Sequence, residues 1–104
     1  MRRTNLRDAG YFVSTLQEFR ASNLHAVEGT SWTGYLPDEW RKPYVYDDAP
    51  NIVYTVYSYG TPIAWVVRTF DTWNSTVDRW VIPPVKYSRT TSKHQNIVRR
   101  AVAA

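Results

Sequence analysis

Between Asn5 and Ala21 the apolar residues Leu6, Ala9, Phe12, Val13, Leu16 and Phe19 recur at helical spacing, while Arg7, Tyr11, Ser14 and Glu18 face the other way. Projected at 100° per residue, the apolar set forms a stripe about 140° wide, which predicts an amphipathic helix over 5–21 with its stripe in the core. Asn5 or Thr4 can cap its start and Asp8 suits its first turn, although Gly10 inside it should cost about 1 kcal/mol. After Asn23 the period shortens. Leu24 and Ala26, then Thr30, Trp32 and Gly34, alternate about Glu28-Gly29 and predict a short hairpin there.

The segment LPDEWRKPYVYDDAPN contains Pro37, Pro43 and Pro50, so no long regular element fits, only a helical turn after Pro37. Trp40, Tyr44 and Tyr46 are placed to pin this loop to the body, and with Trp32 they form a candidate contact surface for a protein partner. In NIVYTVYSYGTPIAWVVRTF, Ile52, Tyr54, Val56 and Ser58 alternate with Val53, Thr55, Tyr57 and Tyr59. Apolar or aromatic groups on both faces predict either a central strand covered on each side or one presenting a ring-rich outer face. Gly60 and Pro62 set a bend, and Ile63 to Thr69 returns as the partner strand. The polar turn DTWNSTVD leads to a further strand over 79–82, ended by Pro83-Pro84, with pairing resumed over 85–88.

The final helix opens with Ser92 as cap and Gln95 completing a capping box. His94, Ile97, Val98, Ala101 and Val102 then share one face, Lys93 and Arg100 sit at its edge, and Arg99 faces solvent. His94 is therefore expected to point inward. The elements sum to one compact α+β domain over 1–104: an N-terminal helix, an antiparallel sheet of four to six strands, and a C-terminal helix packed on one face.

Composition changes this picture in three ways. The chain has no Cys, which removes thiol catalysis, disulfides and thiolate metal sites; with two His and scattered carboxylates, no metal or cofactor is expected. No run approaches the roughly 20 apolar residues that span a bilayer, and the start MRRTNLRDAG lacks an apolar core, so a cytoplasmic protein is expected. Aromatics reach 15%, and the net charge of +4 is carried mainly by Arg2, Arg3 and Arg7 at one end and Lys86, Arg89, Lys93, Arg99 and Arg100 at the other. Such clustering can attract phosphate or an acidic protein surface.

Chemistry concentrates in two stretches. Ser88, Arg89, Thr90, Thr91, Ser92 and Lys93 bring hydroxyls and cations to a helix start, an anion site in kind, with Arg100 further along. Tyr57 and Tyr59 offer rings on which bases can stack. A metal-independent ribonuclease would have His25, Glu28, Arg68 and His94 as its residues, but no spacing demands it.

The words YTVYSYGTPIAWV and RWVIPPVKYSRTTSKHQNIVRR resemble a small family of uncharacterised proteins of actinobacterial phages and related mobile elements. Tyr57, Ser58, Tyr59, Thr61 to Trp65, Trp80, Pro83, Tyr87, Ser88, Thr90 to Ser92, His94 and Gln95 carry the resemblance, which covers the C-terminal half. The turn between Trp65 and Trp80 is longer here than in that pattern. The resemblance implies a phage source, active in an infected bacterial host, and no assigned activity. The expectation is a non-enzymatic phage accessory protein that binds nucleic acid through a basic, aromatic-rich surface. The alternative is a module that binds a host or phage protein.

Overall fold

Asn5 starts the first helix as expected, its Oδ1 accepting a hydrogen bond from the Asp8 N–H at 2.9 Å in the computed structural model, which describes residues 2–30, 33–70 and 75–103. The helix, α1 (Leu6–Ser14), is shorter than its apolar stripe predicts. Thr15 closes it, and Leu16 turns left-handed at φ 54°. The Leu16 N–H then donates to the Val13 carbonyl and the Gln17 N–H to the Phe12 carbonyl, a Schellman ending built without glycine. The hydroxyls of Ser14 and Thr15 both donate to the Tyr11 carbonyl, which also accepts the Thr15 N–H. Phe19, assigned by periodicity to the helix, is instead the first residue of a strand.

Among the described residues six strands form one sheet in chain order: β1 (Arg2–Arg3), β2 (Phe19–Ala21), β3 (Leu24–Glu28), β4 (Ile52–Ser58), β5 (Thr61–Phe70) and β6 (Thr76–Val81). All neighbours are antiparallel except β1, which α1 returns parallel to β2, so the sheet is mixed. The early hairpin turns at Ser22-Asn23, not at Glu28-Gly29, because Leu24 to Glu28 pairs on both sides, with β2 and with β4. Thr33 to Leu36 forms a turn rather than a returning strand. Residues 82–88 run without strand pairing. Trp32 and residues 71–74 of the predicted polar turn lie outside the described residues.

From Tyr54 onward the alternation in β4 sorts two cores, while a register shift between Ile52 and Tyr54 puts Ile52 on the face opposite the one its alternation predicts. Tyr54 and Val56, with Ala64 and Val66 opposite them, face α1 and the last helix, α3 (Arg89–Ala103), and pack with Phe12, Val13, Phe19, Leu24 and Val98. The other face carries Ile52, Trp65 and Val67. It is covered by the proline-rich segment, which folds as α2 (Asp38–Lys42), a π-helical turn (Pro43–Asp47) and a 3₁₀ turn (Ala49–Asn51). Leu36, Trp40 and Tyr44 seal it down, and the Trp65 Nε1–H donates to Asp48 Oδ2 at 3.0 Å. The central strand is thus covered on both faces, the first of the two arrangements its sequence allows.

The β4–β5 hairpin has a two-residue turn, Tyr59-Gly60, with φ of 52° and 78°; positive values at both positions define a type I′ turn. Gly34 passes directly beneath it at φ +51°, and a Cβ there would lie 2.6 Å from the Gly60 carbonyl oxygen and 2.7 Å from the Thr61 Cα. Thr61 Oγ1 would be nearer still, at 2.5 Å, and the two backbone atoms block the space whichever way that hydroxyl turns. Gly34→Ala is therefore expected to destabilise the protein by about 1–3 kcal/mol, read as a lower midpoint in urea at unchanged slope.

Candidate functional site

The hairpin tip, the turn at Gly34 and the start of α3 meet at one end of the sheet and enclose a cleft of about 300 Å³ lined by Tyr35, Ser58, Tyr59, Thr61, Tyr87, Ser88 and Thr91. Each wall is held by local geometry. The Tyr35 N–H donates to Thr61 Oγ1 at 2.9 Å, and the Tyr59 N–H to the Asn23 carbonyl at 2.9 Å. Tyr59 sits left-handed, where Asn or Gly is usual, and its ring lies over the His94 imidazole with centroids 6.0 Å apart. Tyr35 is 85% exposed and Tyr59 52%, so two rings stand open at the rim.

Beneath them runs a chain of short side chains. Ser88 caps α3, accepting from the Thr91 N–H at 3.1 Å, and its hydroxyl donates to Thr91 Oγ1. Thr91 meets Ser58 Oγ at 3.1 Å, and Ser58 meets His94 Nδ1 at 2.6 Å. One proton per hydroxyl satisfies the chain if it donates from Thr91 to Ser58 to His94 Nδ1, leaving the imidazole proton on Nε2. Burial holds His94 below its ordinary pKa, so it is neutral at pH 7. The cap is therefore Ser88 and not Ser92: Gln95, the partner in the predicted box, turns its amide to the Val85 carbonyl at 2.9 Å. The Tyr87 hydroxyl is buried beside this network with no hydrogen-bond partner among the described residues, and burial raises its pKa.

Outside the cleft, Arg89, Lys93 and Arg100 are exposed on α3, while Thr91, His94, Gln95 and Val98 are buried. At 100° per residue the three cations fall within about 40° of one another, opposite the buried face, along about 16 Å of helix. No acidic residue occurs in α3. Where Arg100 meets α1 it lines a second cavity, about 430 Å³, with Arg7 and Ile97.

Several predicted site residues lie elsewhere. Tyr57 is 1% exposed and on the opposite face from Ser58, so its ring is not presented for stacking; it packs on His25 and shares a hydrogen bond with the Tyr44 hydroxyl at 3.0 Å. Tyr44, expected at a partner surface, is buried by the same bond. Trp40 is half-buried against Trp65, whereas Tyr46 stands exposed. Of the anion-site residues, Ser88, Arg89, Thr90 and Lys93 are exposed, Ser92 is half-buried and Thr91 is committed to the cap. The ribonuclease set is not assembled. His25 and His94 lie on opposite faces of the sheet, Glu28 and Arg68 line a separate cavity with Leu16 and Val53, and Arg68 is held by Asp78 at 2.7 and 3.0 Å. Tyr35, Thr61 and Tyr87 are cleft residues that periodicity does not reveal, since a turn beneath a hairpin leaves no repeating signal. Among the described residues no group of His and carboxylates could hold a metal ion, and no helix is long and apolar enough to cross a membrane.

No curated protein and no solved structure matches the chain. A family of unknown function, DUF8033, matches it over residues 12–101, a span that takes in the end of α1, the sheet from β2 onward, α2, α3 as far as Ala101 and every wall of the cleft. The chain belongs to that family.

Proposed function

We propose that the protein binds single-stranded nucleic acid, with backbone phosphates along the outer face of α3 and an unpaired base against the Tyr35–Tyr59 rim, in the service of a phage or related mobile element. The observation that carries this reading is the acid-free stripe Arg89–Lys93–Arg100 beginning at the mouth of a cleft walled by tyrosines. Phosphate contacts from exposed cations supply affinity without sequence preference, and aromatic faces take bases because every base has a π-face. The hydroxyls of Ser88 and Thr90, exposed at the helix start, add neutral donors beside Arg89. The phage context rests on the resemblance of the two motif words.

Binding of a fluorescent oligothymidylate should weaken steeply with salt. Replacing Arg89, Lys93 and Arg100 by Gln together should lower the slope of log K against log salt by about 2, at roughly 0.7 per phosphate contact. Tyr59→Asn removes the ring yet creates Asn-Gly, the preferred type I′ pair, so the hairpin stays formed while affinity for a base-bearing strand drops. Absence of binding at low salt, or capture of a protein partner from lysate that persists after nuclease treatment and depends on Arg89 and Lys93, would overturn the reading.

A further inference from the structure

At the same end of the sheet, two strands from the cleft, Arg3 of β1 lies directly opposite Arg20 of β2. Residues opposite one another share a face, and like charges so placed repel. Neither arginine has a carboxylate partner among the described residues, whose ion pairs are Arg7–Asp8, Arg41–Asp38 and Arg68–Asp78. The two side chains line a cavity of about 320 Å³ with Thr4 and Ser22. The backbone fixes this pairing: the Thr4 N–H donates to the Arg20 carbonyl at 2.9 Å, and Ser22 turns left-handed at φ 58° to bring β3 back.

We infer that the Arg3–Arg20 cavity is a phosphate-binding site. Two guanidiniums offer forked donors to one tetrahedral anion, the Thr4 and Ser22 hydroxyls supply neutral donors, and the anion relieves the repulsion that the strand register imposes. Next in the same row across the strands stands His25, opposite Arg20. Burial first, and then the Arg20 charge, hold His25 below its ordinary pKa, and no carboxylate stands in the row Arg3–Arg20–His25–Tyr57. The phosphate is that of a strand already held at the cleft: Asn23, which accepts from the Tyr59 N–H, belongs to the turn that carries Ser22. Strand spacing puts β2 about 10 Å across the sheet from β4, and because the Arg3–Arg20–His25 row lies on the face opposite α3, an oligonucleotide held at the cleft reaches the cavity by passing round the sheet end at the Ser22-Asn23 and Tyr59-Gly60 turns. The identity of the phosphate donor therefore rests on the proposed nucleic-acid reading, whereas the anion site itself does not.

The test compares the wild type with Arg3→Gln/Arg20→Gln, using inorganic phosphate followed by amide NMR and oligothymidylates of about 4 to about 16 nucleotides. In the wild type, phosphate should shift the Ser22 and Arg20 amides, and affinity should rise about tenfold once the oligomer is long enough to reach the cavity. The double variant should lose both effects while binding the shortest oligomers normally. Its thermal midpoint should not fall, because the change removes a repulsion, and Arg20→Lys should restore only part of the phosphate response. Equal length dependence in both proteins, with no phosphate response in the wild type, overturns the inference and leaves the α3 reading standing. Phosphate response without oligonucleotide binding keeps the site as one for a free phosphate compound and removes the parent reading instead.

Discussion

Trp65→Ala is expected to destabilise the protein by about 3–5 kcal/mol, the range for removing a fully buried large aromatic, and to release the segment over 36–51 from the sheet. Trp65 has no exposed surface, and three side chains of that segment reach it. The Tyr44 ring lies 4.7 Å away, the Trp40 ring meets it edge-on at 6.4 Å, and Asp48 accepts its indole proton. The segment has little structure of its own to fall back on, since α2 is five residues long and its N-cap Pro37 makes no side-chain bond. Chemical denaturation should show the lowered midpoint, and limited proteolysis should place the first cuts within 36–51. Trp65→Phe separates the contributions: it retains most of the packing and loses the bond to Asp48, so a loss of about 1–2 kcal/mol is expected. A proteolysis pattern unchanged in Trp65→Ala would show that the loop is held by something other than this ring.

The central place of β4 and β5 was legible from apolar groups on both faces of the alternation, but a strand covered twice and one with a ring-rich outer face share that pattern. What alternation does not say is which cover lies on which side. Tyr57 and Tyr44 look like surface rings for that reason, one read as a base platform and the other as a partner contact; in the fold they meet as one buried hydroxyl pair. The end of α1 was hidden because the usual mark of a Schellman ending is glycine, and Leu16 takes that place here while continuing the apolar stripe. At α3 two hydroxyls compete for the cap on local grounds. A tertiary contact, Gln95 to the Val85 carbonyl, takes away the partner that Ser92 would need and leaves Ser88 with the role. The inward direction of His94 was readable from helical projection alone, but its partner Ser58 was not, because pairing across 36 residues depends on where the hairpin tip falls.

His94 should make stability fall as the pH drops from about 7 toward 5. Unfolded, the imidazole titrates near its ordinary value of 6.5; folded, burial lowers that value. Between the two values the unfolded chain binds more protons than the native one, so unfolding is favoured progressively as acid is added, and the stability present above 6.5 is lost through the folded pKa. His25 is shifted in the same direction, by burial and by Arg20, and contributes a second part of the slope. His94→Gln should retain a hydrogen-bonding group toward Ser58 and lose the His94 share of the pH dependence, while His94→Ala should cost about 2–4 kcal/mol at pH 7 by leaving a cavity under Tyr59 and Ser58 short of a partner. Urea midpoints measured from pH 5 to 7 for the three proteins check both parts. A slope in His94→Gln as steep as in the wild type would mean that His94 keeps the same proton affinity folded and unfolded. The acid-sensitive link would then have to be His25, on the opposite face of the sheet from the cleft.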